Sequence, residues 1–287
     1  MITPDEVAAA AQLACLLEVS APKPGNVSPG HHFHDTRYED FLASAVAIGP
    51  ALAAAGTRPL GATVRAAVDA TLRWTRSNTN LGIVLLLAPL ARSALRLQGS
   101  VSEAALRTGV RRELTETTVA DAADVYAAIR RARPGGLGAS AREDVSAAPT
   151  VTLREAMGLA AERDTVAREY VTDFAATFET GAPALRRARA DGLDWADAAV
   201  EAYLRLLAEI PDTHIARKLG REAAEAVSAR AREVESAGGV RTEDGRRALL
   251  ALDAHLRDGA NRRNPGTTAD LTCAALFVVI LEGGWDR

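Results

Sequence analysis

Four irregular segments of this chain gather residue types that handle phosphate, ribose and protons. KPGNVSPGHHFHD runs from Lys23 to Asp35, SNTNLG from Ser77 to Gly82, PDTHIARKLG from Pro211 to Gly220, and NRRNPGTTADL from Asn261 to Leu271. In the second and fourth, small polar residues and glycine lead straight into an apolar run. Backbone N–H groups left free at a helix start, with hydroxyls beside them, suit a phosphate. Ordinary capping accounts for Asn80 and for Thr267 or Thr268 equally well when each segment is taken alone.

The acids are spread across the same segments. Glu18 stands just before the first, Asp35 closes it, Asp212 sits in the third, and Asp270 falls in the first turn of the run that follows the fourth. A Mg2+–nucleotide site needs only one or two carboxylates beside the substrate's own phosphates, so this pool can supply metal ligands and a general base. His31, His34 and Asp35 lie close enough in sequence to share a transition metal. No HExxH-type partner appears elsewhere, so exposed loop histidines are the preferred reading. Around Lys23, Pro22 and Pro24 stiffen the backbone while Gly25 allows close approach, so the stretch suits a metal site, an anion-binding loop or a long turn with incidental histidines.

Helices must carry these segments. Alanine, leucine, arginine and glutamate dominate, and period-two alternation is almost absent, so the fold class is all-α. Thr3-Pro4-Asp5-Glu6 is a capping box with proline at the first helical position, and Val7, Ala10, Leu13, Ala14 and Leu17 follow at helical spacing. Thr152–Glu155 is a second box, and Asp194 opens a further helix. Additional helices are expected over residues 39–55, 60–76, 81–98, 102–113, 119–132, 164–179, 195–209, 217–236, 242–257 and 268–281. The stretch RPGGLGASAREDVSAAPT, Arg133 to Thr150, is either a domain joint or an ordered functional loop. The preferred arrangement is one domain, 1–287, a bundle-like set of helices with its ligand loops on a common face.

Composition narrows the function classes. Of 287 residues 48% are hydrophobic and 25% charged, as in soluble globular proteins, and a net charge of −3 argues against nucleic acid or an anionic membrane as partner. The most apolar segments, around 81–90 and 271–281, are too short to cross a bilayer comfortably. They are buried in one bundle, or one of them packs on a second subunit; the reading leans to a homodimer. Cys15 and Cys273 lack metal-type spacing and read as reduced core residues. With acids and no basic, apolar leader at the N-terminus, a cytoplasmic location is expected.

In order, Glu18 with PKPGNV, then NTNLG, DTHIARKLG and NPGTTADL resemble the triphosphoribosyl-dephospho-CoA synthase family over about residues 10–282. The resemblance implies an all-helical enzyme that moves the triphosphoribosyl group of ATP to the 2'-hydroxyl of dephospho-CoA and releases adenine. It implies small-molecule partners, ATP as substrate with Mg2+, and a nucleotide-like acceptor. The segment PGGLGASAREDV is more similar to an archaeal and methylotroph branch, whose acceptor can differ. Departures are visible: the family's second motif reads roughly NTHKG, so a lysine able to meet phosphate is Leu81 here, and Phe33 stands where a histidine would fall.

The resulting assignment takes Glu18 or Asp35 as base and Asp212 and Asp270 as metal ligands. Lys23, Gly25, Asn26, Asn78, Asn80, Arg217, Asn264 and Gly266 are assigned to the nucleotide. Alternative readings are a metal-dependent hydrolase of a nucleotide or ribosyl bond, and an inactive nucleotide-binding scaffold.

Overall fold

The computed structural model describes residues 1–138, 140 and 142–286. Its helices are α1 (Pro4–Ser20), α2 (Tyr38–Ala53), α3 (Leu60–Thr71), α4 (Leu81–Arg96), α5 (Glu103–Thr115), α6 (Val119–Ala132) and α7 (Leu153–Ala160). They continue as α8 (Thr165–Glu169), α9 (Ala182–Ala190), α10 (Trp195–Glu209), α11 (Thr213–Leu219), α12 (Arg221–Ser236), α13 (Glu243–Leu256) and α14 (Gly266–Leu281). No strand occurs among the described residues; Ser28 and His31 form one isolated bridge. The all-α expectation holds.

α14 is the axis of the molecule. Thirteen of its sixteen residues are buried, and α1, α4, α9 and α10 pack round it, so the helix is apolar on every side. Twelve of the sixteen residues of α4 are buried as well. Both apolar helices are therefore covered by the chain itself, which removes the argument that one of them waits for a second subunit. No helix among the described residues is long and apolar enough to cross a membrane.

Local signals behave as their chemistry dictates at α1, where Thr3 Oγ1 accepts from the Glu6 N–H and Glu6 reaches back to the Thr3 N–H at 2.7 Å. The same reciprocal cap opens α7 through Thr152 and Glu155. Residues 164–179 do not form one helix. α8 stops at Glu169 because that buried carboxylate turns back to accept from the N–H groups of Ala176 and Thr177, both at 2.9 Å, and from the Thr177 hydroxyl at 2.6 Å. The reversal puts Asp173 and Phe174 at positive φ and buries Tyr170 and Phe174. A π-helical turn, Ala176–Gly181, then runs into α9. The segment Pro211–Gly220 is likewise not a loop: Asp212 caps α11, and Gly220, at φ 91°, separates it from α12.

The segment Arg133–Thr150 is ordered where described; Ala139 and Ala141 lie outside the described residues. Tyr126 donates to the Glu143 carbonyl at 2.8 Å, and the Asp144 carboxylate gathers the N–H groups of Ser140 and Ser146. The described residues of the segment thereby line a cavity between α4, α6, α7 and α14.

Candidate active site

Three helix starts meet at this cavity, and side-chain oxygens lock them together. Asp164 caps α8, Asp212 caps α11, and the start of α14 is tied to both neighbours: Thr213 Oγ1 accepts from the Thr165 N–H at 3.2 Å and meets Thr267 Oγ1 at 3.1 Å. Asp212 is the central brace. Its Oδ1 accepts from the N–H groups of His214 (2.8 Å) and Ile215 (3.0 Å), and its Oδ2 from the N–H (2.7 Å) and hydroxyl (2.8 Å) of Thr268. Four donors fill the four lone-pair directions of a carboxylate. The expected metal ligand is thus a fully committed structural group, and the carboxylate occupies the N-terminal N–H of α14 that the sequence suggested for phosphate.

Lys23 is corrected for the same kind of reason. It is buried, with its ammonium 2.9 Å from Glu18 Oε1 and donating also to the carbonyls of Glu18 and of Ala21 (3.3 Å). An ammonium has three donors, and all three are spent inside the protein. Gly25 does not approach a ligand either. A Cβ there would lie 2.7 Å from Leu256 Cβ and 3.2 Å from Pro265 Cδ, so its positive φ of 76° serves packing. Its N–H donates to Asp253 Oδ1 at 2.7 Å.

What remains converges on an inner chamber of about 290 Å3. Glu18 and Asp270 face it from α1 and α14, and Asn26, Asn78, Asn80, Arg217, Asn264 and Gly266 also line it. Its apolar wall is Leu85, Val125, Ile129, Leu153, Met157 and Val166. Asp270 accepts no hydrogen bond among the described residues, and it lies flat on the first turn of α4: a Cβ at Gly82 would fall 2.0 Å from its Oδ2. Loss of hydration, then the charges of Glu18, Asp212 and Asp164, push its carboxyl well above the usual carboxylate range, with Arg217 opposing. Arg217 itself donates to Asp164 at 2.6 Å, and its Nε has no partner among the described residues. Asn264 Oδ1 is another buried atom without one.

Asp35 does not join Glu18 and Asp270. Its side chain is 61% exposed, beside His34, and faces a second, outer chamber of about 870 Å3. Phe33, Phe41, Asn78, Gly135, His214 and Asn264 line both chambers, so the two adjoin. Among the described residues no three His, Cys, Asp or Glu side chains are grouped to hold a metal ion.

Sequence reasoning missed Asp164 and His214. His214 is mostly buried at the junction of the chambers, where desolvation and then the charges of Lys218 and Arg217 push its imidazole down to about 3, leaving it neutral. A Cβ at Gly266 would sit 2.5 Å from its Nδ1, so that glycine makes room for the ring. Both residues could have been noticed: Asp164 is an acid at a helix start, and His214 lies inside a quoted motif.

The fold and cavity define an all-helical protein with a carboxylate-bearing candidate site. The sequence matches the CitG family, ATP:dephospho-CoA triphosphoribosyl transferase, over residues 4–287, and the chain belongs to that family. A Pseudomonas syringae protein designated a 2-(5''-triphosphoribosyl)-3'-dephosphocoenzyme-A synthase is 40% identical over 100 residues, 35% of this chain and 34% of its own. One from Pseudomonas fluorescens is 35% identical over 111 residues, 39% and 38% of the two chains. The chain thus matches little more than a third of the length of these curated relatives. A crystal structure from Archaeoglobus fulgidus, described as a triphosphoribosyl-dephospho-CoA synthase by assignment, superposes with TM-score 0.64 at 31% identity, covering 84% of this chain and 99% of that one.

Proposed function

We propose that the protein transfers the triphosphoribosyl group of ATP to the 2'-hydroxyl of dephospho-CoA, or of a related nucleotide, and releases adenine. The observation that carries this reading is the pair Glu18 and Asp270 on the wall of one chamber, with Asp270 accepting no hydrogen bond among the described residues. Family membership lends no support to the hydrolase or scaffold alternatives.

The chemistry resembles glycoside cleavage. The C1'–N9 bond breaks with its electron pair going to adenine, which takes up a proton, while the acceptor oxygen bonds to C1' and loses its own. A carboxyl with raised proton affinity is suited to receive that proton, and Asp270 fits the role better than exposed Asp35. Glu18, fixed by Lys23, places negative charge beside the developing oxocarbenium ion. Asn264, whose buried Oδ1 has no partner among the described residues, suits the polar edge of a purine, with the apolar wall against its faces, whereas the Asn80 amide donates to Thr71 at 3.1 Å.

Asp212 and Asp270 do not fit a resident Mg2+ site, because Asp212 has no lone pair to offer. Mg2+ enters this reading as the counter-ion that ATP carries on its phosphates. Neither a cytoplasmic site of action nor a homodimer is needed for the reaction.

Incubation with ATP, Mg2+ and dephospho-CoA, followed by chromatography and mass spectrometry, tests the proposal. Adenine together with a triphosphoribosyl adduct is the expected result. ATP bound but never converted, with dephospho-CoA and related nucleotides all present in turn, overturns it.

A further inference from the structure

The outer chamber holds positive charge that the chemistry at Glu18 and Asp270 leaves unused. Arg76 faces it from the α3–α4 connection, Arg130, Arg131 and Arg133 from the end of α6, and Lys218 from α11. Asp35 is the one carboxylate among its described lining residues, in a chain whose net charge is −3. Some of these cations are employed: Arg131 pairs with Asp69 at 2.7 Å, and Arg130 donates to the Val145 carbonyl. Arg76 and Arg133 make no side-chain hydrogen bond or ion pair among the described residues. Arg133 adopts φ 48°, ψ 55°, a left-handed conformation uncommon for a residue with a side chain, at the point where α6 gives way to the loop over the inner chamber. Lys218 has only a 3.4 Å contact with the Asn261 carbonyl, and burial lowers its proton affinity.

We propose that the outer chamber is a polyphosphate subsite in which Arg76, Arg133 and Lys218 hold the phosphate chain of a nucleoside triphosphate. The inference rests on the transfer reading for what occupies the inner chamber and adds the residues that select the triphosphate. A ribose with C1' at Glu18 and Asp270 carries its 5'-phosphates on the far side of the ring. Those phosphates are repelled by the inner acids and drawn past the residues common to both chambers towards the guanidinium groups, whose forked donors match phosphate oxygens. The two cations that the sequence motifs offered do not replace them: Lys23 has no donor left, and Arg217, paired with Asp164, lines the inner chamber beside Asp270 and not the outer one.

Inorganic tripolyphosphate is the probe, titrated calorimetrically into the full chain, with inorganic phosphate as comparison. Tripolyphosphate should bind more tightly than phosphate. Arg76→Gln and Arg133→Gly should each weaken it about tenfold, the size of one charge-assisted contact. Glycine at 133 tolerates the left-handed backbone, so a loss there reports the guanidinium and not a folding defect. Unchanged tripolyphosphate binding by the double variant, or none by the parent protein, overturns the subsite. The adenine-release assay fails or succeeds separately. A parent protein that binds tripolyphosphate through Arg76 and Arg133 but releases no adenine keeps the subsite and refutes the transfer. Adenine release with variant binding unchanged does the reverse.

Discussion

The inner and outer chambers share a wall and are built by opposite means. The inner one is set into the helix packing: buried Lys23 fixes Glu18, Asp270 lies against Gly82, and half-buried Asp164 pairs with Arg217. The outer one is lined by arginines at helix ends and connections, several of them exposed and two without side-chain partners among the described residues. Buried groups act through exact placement and low dielectric, so a single change there should alter chemistry steeply. Exposed cations act through summed charge, so changes should be graded and sensitive to salt.

The comparison breaks first at Asp270. Asp270→Asn should lower turnover by roughly 10²–10⁴-fold, the scale of a lost general base, with the fold retained. Its effect on stability has a sign. Because the folded pKa is raised, the unfolded state releases its proton first, and the folded protein loses stability as pH rises above the ordinary value near 4. The variant should therefore gain on the parent at pH 8 relative to pH 4 in denaturant melts. Turnover within twofold of the parent would remove Asp270 from the chemistry.

Gly82→Ala tests placement alone. The added methyl would meet the Asp270 carboxylate, and displacement of about an ångström should cost on the order of 10² in turnover. If steady-state rates stay unchanged, the carboxylate is not held by that contact.

Asp212→Ala separates brace from metal ligand. Four hydrogen bonds to a buried carboxylate are lost, and unfolding free energy should fall by roughly 3 kcal/mol in urea. A variant of full stability with weakened Mg2+ dependence would restore the metal role.

His214 gives a pH effect of a few kcal/mol at most. Its folded pKa is depressed to about 3, so its contribution is complete above the unfolded value of about 6.5 and is lost as pH falls from there towards 3. His214→Gln should flatten that acid limb. The smallest effect belongs to the outer chamber: raising salt from about 50 to about 200 mM should weaken ATP binding more than adenosine binding.

The N-terminal boundaries of α1, α7 and α10 were legible because capping is local: Thr3, Thr152 and Asp194 bond within their own first turns. The break after α8 was not, since it depends on Glu169 meeting a segment seven residues later and on Tyr170 donating to the Leu85 carbonyl at 2.7 Å. Glu18, Asp270 and the asparagines of the inner chamber were visible as polar residues in ordered motifs. The outer cations were not, because a run such as Arg130-Arg131-Ala132-Arg133 looks the same on a solvated face as in a binding chamber.

By itself, then, the sequence determined helical class, most helix starts and the set of polar segments, all of which follow from propensity, capping and periodicity over a few residues. Only the tertiary structure decided which charges are spent. Lys23 and Asp212 sit in the most suggestive motifs, and both are saturated by partners that folding brings to them. Asp270, Arg76 and Arg133 are left open for the opposite reason. A donor or acceptor is free for a ligand only when the fold gives it nothing else to bind, and that is a property of the packed chain, not of any motif.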